Sequence, residues 1–192
     1  MVGEISILDT ERGAIAGVIL CGGKSSRFGS NKNWHEVDGK PLIVQAIDAL
    51  RPQTGSLWLG CKQPSPRLAA LGVPLVTDLP QYDGPLAALA TSLEHAQQHV
   101  DALLSLPVDC YPVPDDLAAR LSQALNGASI AIATSQGRAQ YTIGLWRTEL
   151  VAMAMDCLRQ GQRSMRDLLQ RTSWIEVEFP QLRNINYRND AH

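Results

Sequence analysis

The sequence predicts an α/β chain, a three-layer sandwich around a doubly wound, mainly parallel sheet with an antiparallel excursion. Strand-sized apolar runs alternate with segments whose apolar residues recur at helical spacing. The first run, residues 16–21 (AGVILC), passes at once into a glycine turn. Polar clusters follow three of the runs, and an open α/β sheet holds its ligands beyond the carboxyl ends of its strands.

The elements follow in order. Residues 1–15 carry acids and no basic-then-apolar pattern, so they read as a frayed leader and not as a secretory signal. After the first strand, Leu42, Ile43, Ala46, Ile47 and Leu50 share one face of a helix over 42–50. Residues 57–59 and 74–77 are the next strands, and 86–96 the next helix, with Leu86, Leu89, Ala90 and Leu93 apolar. Residues 102–106 (ALLSL) form a buried strand running into Pro107 and Asp109. Pro114, Asp115 and Asp116 open a helix over 117–125, as helix N-termini prefer. Residues 129–134 and 141–146 pair around a polar turn over 135–140. Helices over 149–158 and 165–170, a strand over 175–179 and a tail over 182–190 complete the chain. Without repeats, low-complexity segments or a linker, residues 1–192 read as a single domain.

Composition narrows the function. A formal net charge of -2 with no dominant basic run argues against nucleic-acid binding. The apolar runs are too short to cross a membrane. Four cysteines, Cys21, Cys61, Cys110 and Cys157, lie far apart with no C-x-x-C pair, which suits reduced thiols and a cytoplasmic location. His95 and His99 stand four apart, but with no third ligand nearby they read as a polar helix face.

The chemistry concentrates in residues 20–32, LCGGKSSRFGSNK. Gly22 and Gly23 turn tightly after the strand and let backbone N–H groups approach phosphate. Lys24, Arg27 and Lys32 bring three cations into thirteen residues, enough to offset much of a triphosphate's charge. The order is neither the Walker loop nor the dinucleotide fingerprint G-x-G-x-x-G. Asp109 lies just beyond a buried strand, where a carboxylate can hold Mg²⁺ together with phosphate oxygens and water. Asp78 follows the strand over 74–77; taken alone, it reads equally as a turn residue.

These residues resemble the signature of the nucleotidyltransferases that include molybdenum cofactor guanylyltransferase. Leu20-Cys21-Gly22-Gly23, Arg27-Phe28-Gly29 and Lys32 match it in order, followed by Gly39-Lys40-Pro41-Leu42. The resemblance implies a Rossmann-like nucleotidyltransferase fold, Mg²⁺ as cofactor, and GTP and molybdopterin as substrates joined with loss of pyrophosphate. Molybdenum cofactor biosynthesis or acceptor proteins are the implied partners. Leu20, Cys21, Gly22 and Gly23 would contact the nucleotide, Arg27 and Lys32 would hold phosphates and act in catalysis, and Asp109 would ligate the metal. Asp78 and the Gly84-Pro85-Leu86 turn match a nucleotide-contacting aspartate and a G-P-L turn of the family. Asn184-Ile185-Asn186 matches its N-I-N and would serve the acceptor. In Gly161-Gln162-Arg163-Ser164, Ser164 reads as a helix N-cap answered by Asp167; Arg163 and Arg166 read as helix charges that an anionic pterin phosphate could use. The chain departs from the pattern at Cys21, where the backbone makes the contact and little is lost, at Ala88, which would tighten the acceptor groove, and at Gly60-Cys61-Lys62 and Gln140-Tyr141, which bear on base and acceptor choice more than on reaction type. A transferase using CTP, or one acting on sugar or lactate phosphates, stays open, as does a nucleotide-binding accessory protein without turnover.

Overall fold

The computed structural model describes residues 15–21 and 32–185. Seven strands make one sheet: β1 (Ile15–Leu20), β4 (Ser56–Cys61), β5 (Leu75–Thr77), β6 (Ala102–Pro107), β7 (Ile130–Ser135), β8 (Arg138–Arg147) and β9 (Trp174–Glu178). Their order is β5-β4-β1-β6-β8-β7-β9. Every neighbour pair is parallel except β6–β8 and β7–β8, so β8 alone runs backwards. Two short strands, β2 (Glu36–Val37) and β3 (Lys40–Pro41), form a separate hairpin.

The alternation of side chains across the sheet builds two cores. Ala16, Val18 and Leu20 of β1 face one side, packing with α3 (Pro85–Ala96), α5 (Val151–Arg159) and α6 (Met165–Leu169). Ile19 and Leu59 face the other, against α1 (Leu42–Leu50), the short α2 (Pro66–Ala69) and α4 (Leu117–Ala124). Helices on both faces of a mainly parallel sheet are the three-layer sandwich the sequence predicts. On α1 the five apolar residues of the expected stripe are the five buried ones.

Several boundaries differ from the sequence reading. Ile15, assigned to the leader, is a strand residue because it pairs with Ala102; residues 1–14 lie outside the described residues. The turn expected over 135–140 is only Gln136-Gly137, with φ of 51° and 71°. Two successive positive φ values match the twist of the flanking strands, so β7 and β8 run right up to the turn. The β2–β3 hairpin is built alike on Asp38 and Gly39, at φ 52° and 74°. Asp116 stands at the N-cap of α4 without a side-chain cap bond; its carboxylate lies 3.8 Å from Arg120 instead. On α6 the capping box forms as expected, Ser164 accepting from the Arg166 N–H and Asp167 from the Ser164 N–H. His95 meets Trp58 edge to face at 4.7 Å, with His99 beside it, so both imidazoles pack on a core ring.

In the second half of β8, a buried network fixes the backbone. The Trp146 indole N–H donates to Ser105 Oγ at 2.7 Å, and the Ser105 hydroxyl donates to the Thr142 carbonyl at 2.9 Å. The ladder between β7 and β8 is interrupted between Ile132 and Thr134, leaving residues 140–143 outside it. In the register of β8 on β6, Thr142 and Ile143 still lie opposite Pro107 and Leu106, and Gln140 and Tyr141 extend past the end of β6, where the parallel strands finish.

Candidate functional site

The candidate residues that are described all fall on that one edge. β1 ends at Leu20, and the Cys21 N–H donates to the Gly60 carbonyl at 2.8 Å, continuing the β1–β4 ladder by one residue. The Val108 N–H donates to the Leu20 carbonyl at 3.3 Å, tying β1 to the end of β6. Lys32 and Asn33 sit in a single 3-10 turn (Lys32–Trp34). The buried Asn33 amide donates to the Cys21 carbonyl at 3.3 Å, bringing Lys32 back to the strand ends. Sequence reading passed over Asn33; its flanking Lys32 and Trp34 give no period that marks it as buried.

Lys32 Nζ is ion-paired with the Asp109 carboxylate, their side chains 28% and 17% exposed. Asp109 follows β6, and its carbonyl accepts the Ile185 N–H at 2.9 Å. Cys110 and Asn184 form an antiparallel bridge, and the Tyr111 N–H donates to the Arg183 carbonyl at 2.8 Å. The tail over 183–185 is therefore stitched to the segment over 109–111, and this brings Asn184 beside Asp109. The Asn184 amide donates to Gln140 Oε1 at 3.0 Å.

Asp78 is the outlier of the site. Its N–H donates to the Cys61 carbonyl at 2.9 Å, yet its side chain is buried and Oδ1 has no hydrogen-bond partner. Burial pushes its carboxyl above the ordinary carboxylate range, while the Lys62 ammonium pulls it down. Burial also raises the thiols of Cys21 and Cys61, and the Asp78 charge beside them raises both further. A buried carboxylate oxygen left alone costs on the order of 1–3 kcal/mol. Asp78 Oδ1 is thus an enclosed acceptor whose hydrogen bond is unmet among the described residues.

Gly84 has φ 96°, and a Cβ there would come 3.2 Å from the Arg163 carbonyl, so both conformation and close approach call for glycine. Pro85 is the first residue of α3. Lys62 and Asp83 form an exposed ion pair beside this turn. Lys40 pairs instead with Asp48 of α1, a separate exposed pair, though it shares the G-K-P-L motif. Gly22, Gly23, Arg27 and Asn186 lie outside the described residues.

Among the described residues no group of three or more histidine, cysteine, aspartate or glutamate side chains converges on a metal position. Mg²⁺ is commonly held by one or two carboxylates plus phosphate oxygens and waters, and needs no such group. Asp109, partly exposed and facing a cation already, is a carboxylate of that kind.

Comparison with known proteins agrees with the fold. Residues 17–177 match the family described as the MobA-like NTP transferase domain. A molybdenum cofactor guanylyltransferase of Bordetella petrii is 34% identical over 173 residues, 86% of this chain and 87% of that protein. One of Rhodopseudomonas palustris is 36% identical over 144 residues, 71% of this chain and 69% of the other. The crystal structure of molybdopterin-guanine dinucleotide biosynthesis protein A from Archaeoglobus fulgidus superposes with a TM-score of 0.72, at 17% identity, covering 85% of this chain and 83% of that one.

Proposed function

The chain belongs to the MobA-like NTP transferase family, and on that premise we propose that it transfers GMP from GTP to molybdenum-bearing molybdopterin, releasing pyrophosphate. The observation that carries the base choice is the unpartnered Oδ1 of buried Asp78, at the same edge as the Lys32–Asp109 pair. Guanine offers N1–H and N2–H₂ side by side, two donors that one carboxylate accepts together. Cytosine and adenine offer an amino group next to an acceptor, and uracil a single N–H. A lone carboxylate therefore favours guanine by a hydrogen bond the others cannot make.

In the reaction an oxygen of the acceptor's terminal phosphate attacks the α-phosphorus of GTP. The bond from that phosphorus to the bridging oxygen breaks, and pyrophosphate leaves with the electron pair. The nucleophile is already a phosphate, so no covalent intermediate with the protein is needed, and positioning with electrostatics supplies the catalysis. Lys32 carries the positive charge to the phosphates, exchanging its Asp109 partner for them as the nucleotide arrives. Asp109, with phosphate oxygens, would hold Mg²⁺, whose charge offsets that building on the α-phosphate. Leu20 and Cys21 present backbone groups where the first strand ends, and Asn184 faces the acceptor from the opposite lip.

We assign the chain to the cytoplasm; its four free thiols fit a reducing compartment, and no described helix is long and apolar enough to cross a membrane. The deciding experiment offers GTP, CTP, ATP and UTP in turn with purified molybdopterin and Mg²⁺, reading pyrophosphate release. Release with GTP alone is expected. A preference for CTP would overturn the base assignment, and no release with any nucleotide would make the chain a binding protein without turnover.

A further inference from the structure

Arg166 is the second residue of α6 and lies with its guanidinium carbon 4.7 Å from the centre of the Tyr141 ring. Among the described residues it pairs with no carboxylate, and its side-chain N–H groups donate to nothing. Other arginines nearby are engaged. Arg171 holds Asp156 at 2.9 Å, and Arg163 donates to the carbonyls of Leu158 and Gln162 at 2.9 and 2.7 Å while lying over Tyr82. Tyr141 belongs to the stretch of β8 that extends past the end of β6, and its neighbour Gln140 accepts from Asn184, which bridges to Cys110 beside Asp109. Contacts thus lead from the Lys32–Asp109 pair through Asn184 to Gln140, whose strand neighbour Tyr141 meets Arg166.

A guanidinium packed over a ring is restrained before its ligand arrives. Its N–H edge forms a fork that matches two oxygens of a phosphate, where a lysine would offer only a point charge. We infer that Arg166, positioned by Tyr141, grips the phosphomonoester of the acceptor and so selects a phosphorylated substrate. The inference rests on the acceptor proposed above being a phosphorylated pterin. It goes beyond that reading by naming a pair, Tyr141 and Arg166, of which Tyr141 stands where the family pattern is broken.

The test titrates the full-length chain, with GTP present, against a pterin bearing a phosphomonoester side chain and the same pterin after phosphatase treatment, followed by pterin fluorescence. Arg166→Met is expected to weaken the phosphorylated pterin about tenfold or more and to leave the dephosphorylated one within about twofold. Tyr141→Phe should keep the selectivity, and Tyr141→Leu should lose part of it. GTP affinity should hold in all three, and Arg159→Met, which removes an exposed charge on α5, should change neither pterin. Equal losses for both pterins in Arg166→Met would overturn the assignment, pointing to ring stacking instead, as would a wild-type chain that binds the two equally or binds neither. Pyrophosphate release by the wild-type chain separates the two readings. Arg166-dependent binding without release would reject guanylyl transfer and keep this site, whereas release with Arg166-independent binding would do the reverse.

Discussion

Lys32 reaches across 77 residues of sequence to form its ion pair with Asp109. Lys32 comes from the 3-10 turn and Asp109 from the end of β6, and among the described residues each is the other's ion-pair partner. Asp109→Ala leaves the Lys32 ammonium there without its carboxylate, and Asp109→Asn keeps the shape while removing the charge. Both are expected to lower Mg²⁺-supported turnover by a factor on the order of 100 or more. Circular dichroism should report an intact fold, and a variant with near-normal turnover in Mg²⁺ would remove Asp109 from the mechanism.

Two lysines, Lys32 and Lys40, separate phosphate binding from surface charge. Lys32→Ala should weaken GTP binding and slow transfer, each by about tenfold or more. Lys40→Ala breaks only the exposed pair with Asp48, and pairs of that kind contribute roughly 0–1 kcal/mol to stability. Calorimetric GTP titrations of both variants check this, and equal losses would mean that Lys32 has no special place at the phosphates.

Asp78 ties stability and function together with opposite signs. Its carboxyl is raised by burial, so the folded chain holds that proton more tightly than the unfolded chain does. The carboxyl therefore costs stability as pH climbs from the unfolded value through the raised one, and costs nothing below both. Asp78→Asn should melt higher than wild type at neutral pH, with the advantage fading in acid, while GTP affinity falls about tenfold. Melting curves at neutral and acid pH, with a GTP titration, decide it. A variant less stable than wild type at neutral pH and unchanged in acid would contradict the sign.

Asn184→Asp places a carboxylate against the Gln140 carbonyl oxygen and toward an anionic acceptor. Like charges about 4 Å apart repel by about 4 kcal/mol at an effective dielectric of about 20, before any relaxation. Molybdopterin affinity and transfer should fall together while GTP affinity stays near wild type. Loss of melting temperature with both affinities intact would reduce Asn184 to a stitch in the tail.

Ser105 and Trp146 are both fully buried, and their hydrogen bond anchors the second half of β8 on β6. Ser105→Ala strands the indole N–H and frees the Thr142 carbonyl, at a cost of about 1–3 kcal/mol. In a Trp146→Phe background the same change should cost less, because the donor is already gone. Urea unfolding of the four proteins in that cycle measures the coupling, and strict additivity would refute it.

The parts of the fold legible in the sequence are those where one face is apolar over a whole element. The α1 stripe and the buried runs of β1 and β6 are of that kind. Residues 138–140 were misread because they sit at the sheet's end, where polar side chains face solvent and break the alternation that marks a strand. The β2–β3 hairpin is too short for any period, although Asp38-Gly39 carried its turn signal. At the site, the residue types at strand ends marked Asp78, Asp109 and Lys32 as candidates, but contacts made across long sequence separations were hidden. The Lys32–Asp109 pair, the Asn33 tie to Cys21 and the Arg166–Tyr141 stack exist only once β1, β6 and β8 lie side by side.

The reversal of β8 bears on how such a chain can change. Because that strand enters the sheet at the edge where its neighbours leave, Gln140 and Tyr141 project there without belonging to the β7–β8 ladder. Substitutions or insertions in this stretch would reshape one wall of the cleft while the parallel run β5-β4-β1-β6, with Cys21, Asp78 and Asp109 at its ends, kept its register. Recognition of a new acceptor could thus be acquired by editing two residues, leaving the half of the sheet that ends in Asp78 and Asp109 as inherited.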